Sequence, residues 1–110
     1  MSCFKETIKN SRYIGTKWTT NDDISESVYG KNCTTTIEFL NLTNCQVIDR
    51  REVKNSNLSG VFVKEGFYKI KGDSVFWTID KVTTGGIVRG SVMVTNMKTI
   101  TGGNRVYSKN

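Results

Sequence analysis

The sequence predicts an all-β protein: an up-and-down antiparallel meander of about eight strands closed into a barrel, with a β-sandwich as the alternative. Three observations predict it. Apolar residues recur at every second position almost throughout, the period of a half-buried strand rather than of a helix. Ala is absent and Leu occurs only at 40, 42 and 58, whereas Thr, Val, Ile, Tyr, Phe and Trp, which suit a pleated surface, are plentiful. Finally, strand-length runs follow one another with tight turn signals between them, which is the pattern of hairpins in series. Closing such a meander removes the exposed edges that would pair with other chains. At 110 residues the chain is expected to form one domain, with an N-terminal segment at 1–12 and the barrel at 13–109.

The elements follow in order. Ser2 to Lys9 is the one segment with helical spacing, Phe4 and Ile8 lying four apart. Tyr13 to Thr20 is the first strand, and Asn21 to Asn32 reads as an irregular polar loop. Thr34–Leu40 and Cys45–Val53 form a hairpin about the turn residues 41–44. Ile37 and Phe39 share a face opposite Glu38, and Ile48 alternates with Asp49 in the same half-buried pattern. Asn55-Ser56-Asn57 reads as a loop. Val61 to Val63 is a short strand, separated from the next by Glu65-Gly66. The clearest hairpin is Phe67 to Asp80. Tyr68 and Ile70 alternate with lysines, Gly72-Asp73 supplies a type II′ turn, and Val75, Trp77 and Ile79 alternate on the return. The glycine pairs at 85–86 and 102–103 read as hairpin turns, and Arg89-Gly90-Ser91 as a turn or bulge. Between them lie strands Ile87–Arg89 and Val92–Thr101, the latter bulged near Asn96, and Asn104–Lys109 closes the series.

Composition narrows the chemistry. Without His there is no His-based acid–base pair, catalytic triad or His-containing metal site. The ten carboxylates stand in no catalytic motif, so an enzyme is not expected. Cys3, Cys33 and Cys45 lack metal-site spacing. All three are expected to be free thiols, since Cys45 falls opposite about Leu40 in its hairpin and not opposite Cys33. Asn21-Asp22-Asp23, with Ser25 and Glu26, is rich in oxygen but has no calcium-loop spacing, and reads as a solvated loop. The glycine pairs precede no helix and are not phosphate loops. Three Asn-x-Ser/Thr acceptor patterns, at Asn32, Asn41 and Asn57, are expected by chance in a chain rich in Asn and Thr.

The net charge of +6 comes from basic residues spread singly along the chain, not clustered as nucleic-acid binding requires, so no nucleic-acid partner is expected. No apolar run is long enough for a membrane-spanning helix, and residues 1–10 do not resemble a signal peptide. Either the protein acts in the cytoplasm from Met1, or the chain follows a removed leader and works in the cell envelope or outside the cell.

Four stretches carry a family resemblance: Gly15-Thr16-Lys17-Trp18, the hairpin Tyr68 to Asp73, Gly86 to Met93, and Gly102 to Lys109, which ends Arg105-Val106-Tyr107. Together, over about residues 13–109, they resemble the small bacterial lipocalin-like proteins, calycin-type barrels common in gut-bacterial cell envelopes. The chain has Gly-x-x-Trp where wider lipocalins have Gly-x-Trp. Its C-terminal Arg-Val-Tyr-x-Lys is similar to the end of the fatty-acid-binding proteins, in which an Arg-x-Tyr pair can hold a carboxylate. There is no room for that family's paired-helix lid. The resemblance implies binding of a small apolar or amphipathic ligand, with no cofactor. The alternative is a packed barrel that acts through a protein partner, presenting an exposed apolar patch at Phe62, Phe76 or Leu42.

Five residues are candidates for ligand contact: Trp18, Tyr68, Trp77, Arg105 and Tyr107. The first three lie on apolar alternations, where an aromatic side chain either lines a cavity or fills the core; an eight-stranded barrel is just wide enough to be filled by side chains. Arg105 and Tyr107 are two apart in a strand and leave it on one face. If that face is inward, a guanidinium and a phenol converge near one barrel mouth and could anchor an acidic head group. An inward Arg105 would itself need an anion, a carboxylate side chain or an aromatic ring. If Val106 faces inward instead, the pair lies outside.

Overall fold

The computed structural model describes residues 12–29, 32–52 and 59–110. Eight antiparallel strands form a closed barrel in sequence order: β1 (Lys17–Asn21), β2 (Thr34–Phe39), β3 (Asn44–Arg51), β4 (Gly60–Lys71), β5 (Ser74–Ile79), β6 (Val82–Arg89), β7 (Val92–Lys98) and β8 (Asn104–Lys109). β8 returns to pair with β1, Trp18 opposite Lys109. Among the described residues one helix, α1 (Asp23–Tyr29), lies between β1 and β2. This is the meander expected from the period of two, and the architecture is consistent with a calycin-like fold.

Several boundaries differ from the sequence reading, each for a local reason. The first strand begins at Lys17, because residues 13–16 form a turn: the Thr16 amide and hydroxyl both donate to the Tyr13 carbonyl, and Gly15 takes φ 80°. Residues 21–32 are not wholly irregular. They hold α1, which spans seven residues and buries none of them; its apolar spacing is a single pair, Ile24 and Val28, four apart and both exposed. Its signal is the cap: Asp22 accepts the Ser25 amide at 3.0 Å and the Ser25 hydroxyl at 2.7 Å. Glu65-Gly66 does not break β4, which runs unbroken through it. Gly66 is where β4 crosses closest to β5, and a side chain there would strike the Thr78 carbonyl.

Gly85-Gly86 is not a turn either but the middle of β6, where Gly86 leaves room for the Met93 side chain. The β5–β6 turn is Asp80-Lys81, with φ 50° and 68°, the double positive φ of a type I′ turn made without glycine. The Gly72 and Gly102 turns and the β7 bulge, between Val94 and Lys98, lie where the sequence puts them. Cys45 stands opposite Phe39 rather than Leu40, and Cys33 and Cys45 are both free and buried. The expected helix at 2–9, Cys3 and the loop at 55–57 lie outside the described residues. Among the described residues no helix is long and apolar enough to cross a membrane.

The register sorts the inward side chains by height along the barrel axis. One end is closed. Tyr13 meets Phe39 edge-on at 5.7 Å between ring centres, and Phe39 tilts against Tyr68 at 4.6 Å. Trp18, Ile37, Cys45 and Val75 complete this packing, all buried. Its polar atoms are satisfied within the chain: the Trp18 indole donates to the Thr16 hydroxyl at 3.1 Å, and the Tyr68 hydroxyl to the Asn41 carbonyl at 2.5 Å. Burial pushes the Tyr68 phenol up to about 12 and the Cys45 thiol to about 11, so both stay neutral across the ordinary pH range. In the middle of the barrel Trp77 meets Tyr107 edge-on at 6.0 Å. The other end is built differently.

Candidate functional site

At the open end, the strands that begin or finish there are the second half of β1, β3 and β5 and the first half of β2, β4, β6 and β8, together with the end of β7. Their inward residues enclose a cavity of about 270 Å³. Trp77 and Tyr107 floor it; Val47, Ile79 and Met97 give it apolar walls; Asp22, Thr35, Asp49, Thr84 and Arg105 give it polar ones. A second depression, of about 320 Å³, lies outside the barrel over Gly85-Gly86 and is bordered by Phe76, Ile87 and Val94, with no ionisable group in its wall. Unlike that depression, the inner cavity combines apolar walls with converging charged and hydrogen-bonding groups, as small-molecule sites do.

Arg105 and Tyr107 both face inward and are buried, whereas Val106 is 42% exposed. The buried guanidinium has its anion in the chain. Nη2 lies 3.3 Å from Asp22 Oδ1 and 3.2 Å from Asp23 Oδ1. The side chain is only 5% exposed, and its Nε is buried without a hydrogen-bond partner. Asp22 thus does two jobs, capping α1 and neutralising Arg105. Asp23 also accepts the Ile100 amide at 2.8 Å, from the β7–β8 turn. That hydrogen bond, with Arg105 adding to it against some desolvation, holds the Asp23 carboxyl below its usual range. The Tyr107 phenol is pushed up to about 12, chiefly by burial, with Arg105 opposing, and its hydroxyl donates weakly to Met97 Sδ at 3.7 Å.

These contacts tie the start of α1 to the β8 side of the mouth. Its end is tied to the β3–β4 side, where the Arg51 guanidinium lies between the rings of Tyr29 and Phe62, 4.9 and 4.8 Å from their centres. Asn32, beyond the helix, donates to Glu52 at 2.9 Å. The helix is therefore a short strap over part of the mouth, held at its two ends by polar and cation–π contacts and by no buried apolar side chain.

Three of the five candidate residues, Trp77, Arg105 and Tyr107, come together around the cavity. Trp18 and Tyr68 sit in the closed end and do not line it. The sequence reading missed Asp49. It lies on the inward alternation with Cys45 and Val47, so the pattern of β3 faces the opposite way from the one Ile48 suggests. Asp49 Oδ1 accepts the Thr35 hydroxyl at 2.7 Å. The oxygen-rich Asn21-Asp22-Asp23 stretch was visible as a motif, but its partner, 82 or 83 residues away, was not.

No protein-family model matches this chain, and no curated protein or solved structure matches it.

Proposed function

We propose that this protein is a lipocalin-like binding module that takes a small amphipathic molecule into the open end of its barrel and performs no reaction on it. The observation that carries this reading is the cavity above the Trp77–Tyr107 floor, apolar on its walls and polar at its mouth. At about 30 Å³ per non-hydrogen atom, the share of a water molecule in the liquid, 270 Å³ admits roughly nine such atoms. An eight-carbon chain with a one-atom head matches that volume. Burying it is worth several kcal/mol before the costs of association, so a Kd of roughly 0.1–1 mM is expected. Titrating ¹⁵N-labelled protein with 1-octanol tests the reading. Saturable shifts at the Trp77 indole, Thr84 and Arg105, with none at the Trp18 indole, support it; no saturable shift at the cavity residues contradicts it.

The alternative, a module that acts through a protein partner, has its own observation. β4 pairs with β5 only from Phe67 onward and Gly66 lies against Thr78, so among the described residues Gly60 to Glu65 pairs with β3 on one side and with no strand on the other. Val61 and Val63 lie exposed on this free edge, and Phe62, Phe76 and Leu42 are also partly exposed. Free edges accept added strands. Sedimentation that shows a monomer at all concentrations, together with saturable octanol binding, would favour the ligand reading.

A further inference from the structure

The reading of the cavity as a ligand site leaves its head-group chemistry open, and the charges around it address that. Arg105 is the cation expected to draw an acidic ligand, but its guanidinium is already shared by Asp22 and Asp23, at 3.3 and 3.2 Å. Asp49 adds a third carboxylate on the cavity wall. Lys64, also on the wall, is paired with Asp80 at 3.1 Å, and Arg51 stands further out, stacked between Tyr29 and Phe62. Three carboxylates therefore stand around one buried guanidinium, Asp22 and Asp49 on the cavity wall and Asp23 outside it on Arg105, while the lysine on the wall is matched by Asp80. A carboxylate ligand would add a fourth like charge to this group, which a partly desolvated site penalises heavily.

Asp49 also has capacity to spare. Thr35 fills one of its oxygens, and among the described residues Oδ2 has no hydrogen-bond partner. Trp77 and Tyr107 put two aromatic rings in the same cavity, and aromatic faces attract organic cations.

We infer that the cavity selects a cationic amphiphile, an alkyl or aryl ammonium whose charged head sits at Asp49 and whose apolar body lies against Val47, Ile79 and Trp77. This rests on the cavity being a ligand site at all. The ammonium brings donors to Asp49 Oδ2 and offsets the surplus of carboxylates, and the apolar tail needs no further polar contact.

The test compares three probes of one length on the wild-type protein at pH 7, below their micelle concentrations: octylammonium, octanamide and octanoate, with affinities from calorimetry. Octylammonium is expected to bind at least about 5-fold more tightly than octanamide and more than 10-fold more tightly than octanoate, and its advantage should shrink as salt is raised. The variant Asp49→Asn keeps the acceptor for Thr35 and removes only the charge. It should lose most of the preference for octylammonium while holding octanamide within 2-fold. Octanoate or octanamide binding as tightly as octylammonium would overturn the inference and leave the cavity standing as a site. So would an unchanged preference in Asp49→Asn. Failure of all three probes to bind would remove the site reading itself, and this inference with it.

Discussion

The two ends of the barrel are built from the same strands and solve opposite problems. At the closed end the buried side chains are apolar or aromatic, and the polar atoms of Trp18, Tyr68 and Thr16 bond to each other or to the nearby backbone. At the open end the same alternation delivers Asp49, Thr35, Thr84 and Arg105 to the inside, and a short helix is tied to the rim at its two ends. Chains of equal propensity can thus make a core and a site, the difference lying in which residue type falls on the inward register. Apolar burial accounts for stability, and it is concentrated at one end. Charges are costly to bury without partners. Their collection at the other end, partnered by a separate loop, is what singles that end out.

This contrast can be broken with substitutions of graded size. Phe39→Ala or Trp18→Ala empties the packed end and should cost about 3–5 kcal/mol, measured by urea unfolding, the range for deleting a buried aromatic side chain. Octanol affinity, measured below the unfolding transition, should be unchanged. Asp22→Ala at the open end should cost less, about 2 kcal/mol: about 1 for the lost helix cap and about 1 for one of the two carboxylates on Arg105, with Asp23 still in place. Its signature is local, with amide exchange rising in α1 and at Ile100 before it rises in the strands.

Acid should also separate the two ends. The Asp23 carboxyl is held below its ordinary value of 3.8, so the stability it lends is present above that pH and is lost as pH falls through the lower, folded-state value. The Ile100 amide and α1 should therefore loosen below about pH 4 while the Phe39–Tyr68 packing persists, as aromatic-region circular dichroism or proton spectra would show. Alkali should strain both ends alike. Tyr68 is raised from 10.0 to about 12 and Tyr107 likewise, so the stability tied to their neutral forms is complete below about pH 10 and is lost as pH climbs toward about 12. Cys45, buried and raised to about 11, should resist alkylation in the native state at pH 8, as peptide mapping would detect. The smallest effect is expected at Lys81, whose φ of 68° is unfavourable for a side-chain-bearing residue. Lys81→Gly relieves that strain but frees the unfolded chain, for a net gain of about 0.5 kcal/mol and a rise in Tm of about 2–4 °C.

How much of this was legible follows from which signals are local. Alternation of apolar and polar residues is local, so the meander, the Gly72 and Gly102 turns and the β7 bulge could be read directly, whereas the unbroken β4 and the start of β6 could not. A glycine is ambiguous: Gly85-Gly86 looks like a turn, and only the neighbouring Met93 and Phe76 side chains show that it makes room within a strand. Asp80-Lys81 hides a type I′ turn in residues that rarely form one. The helix α1 buries no residue, so its only local signals were the cap at Asp22 and the single pair Ile24 and Val28, four apart. For the site, the shared face of Arg105 and Tyr107 was legible from their spacing, but whether that face was inward was not. Val106 is the more apolar residue, and it is the long-range pairing of Arg105 with Asp22 and Asp23 that makes the inward orientation tolerable.

The most direct test of the division into a sealed end and a receptive end uses the two tryptophans, one in each region. In the Trp18→Phe variant only Trp77 emits, and in the Trp77→Phe variant only Trp18 does. With 1-octanol added to each, the Trp77 emission should shift and saturate, while the Trp18 emission should stay constant over the same range. A saturable response from Trp18, or none from Trp77, would contradict the placement of the binding site at the open end.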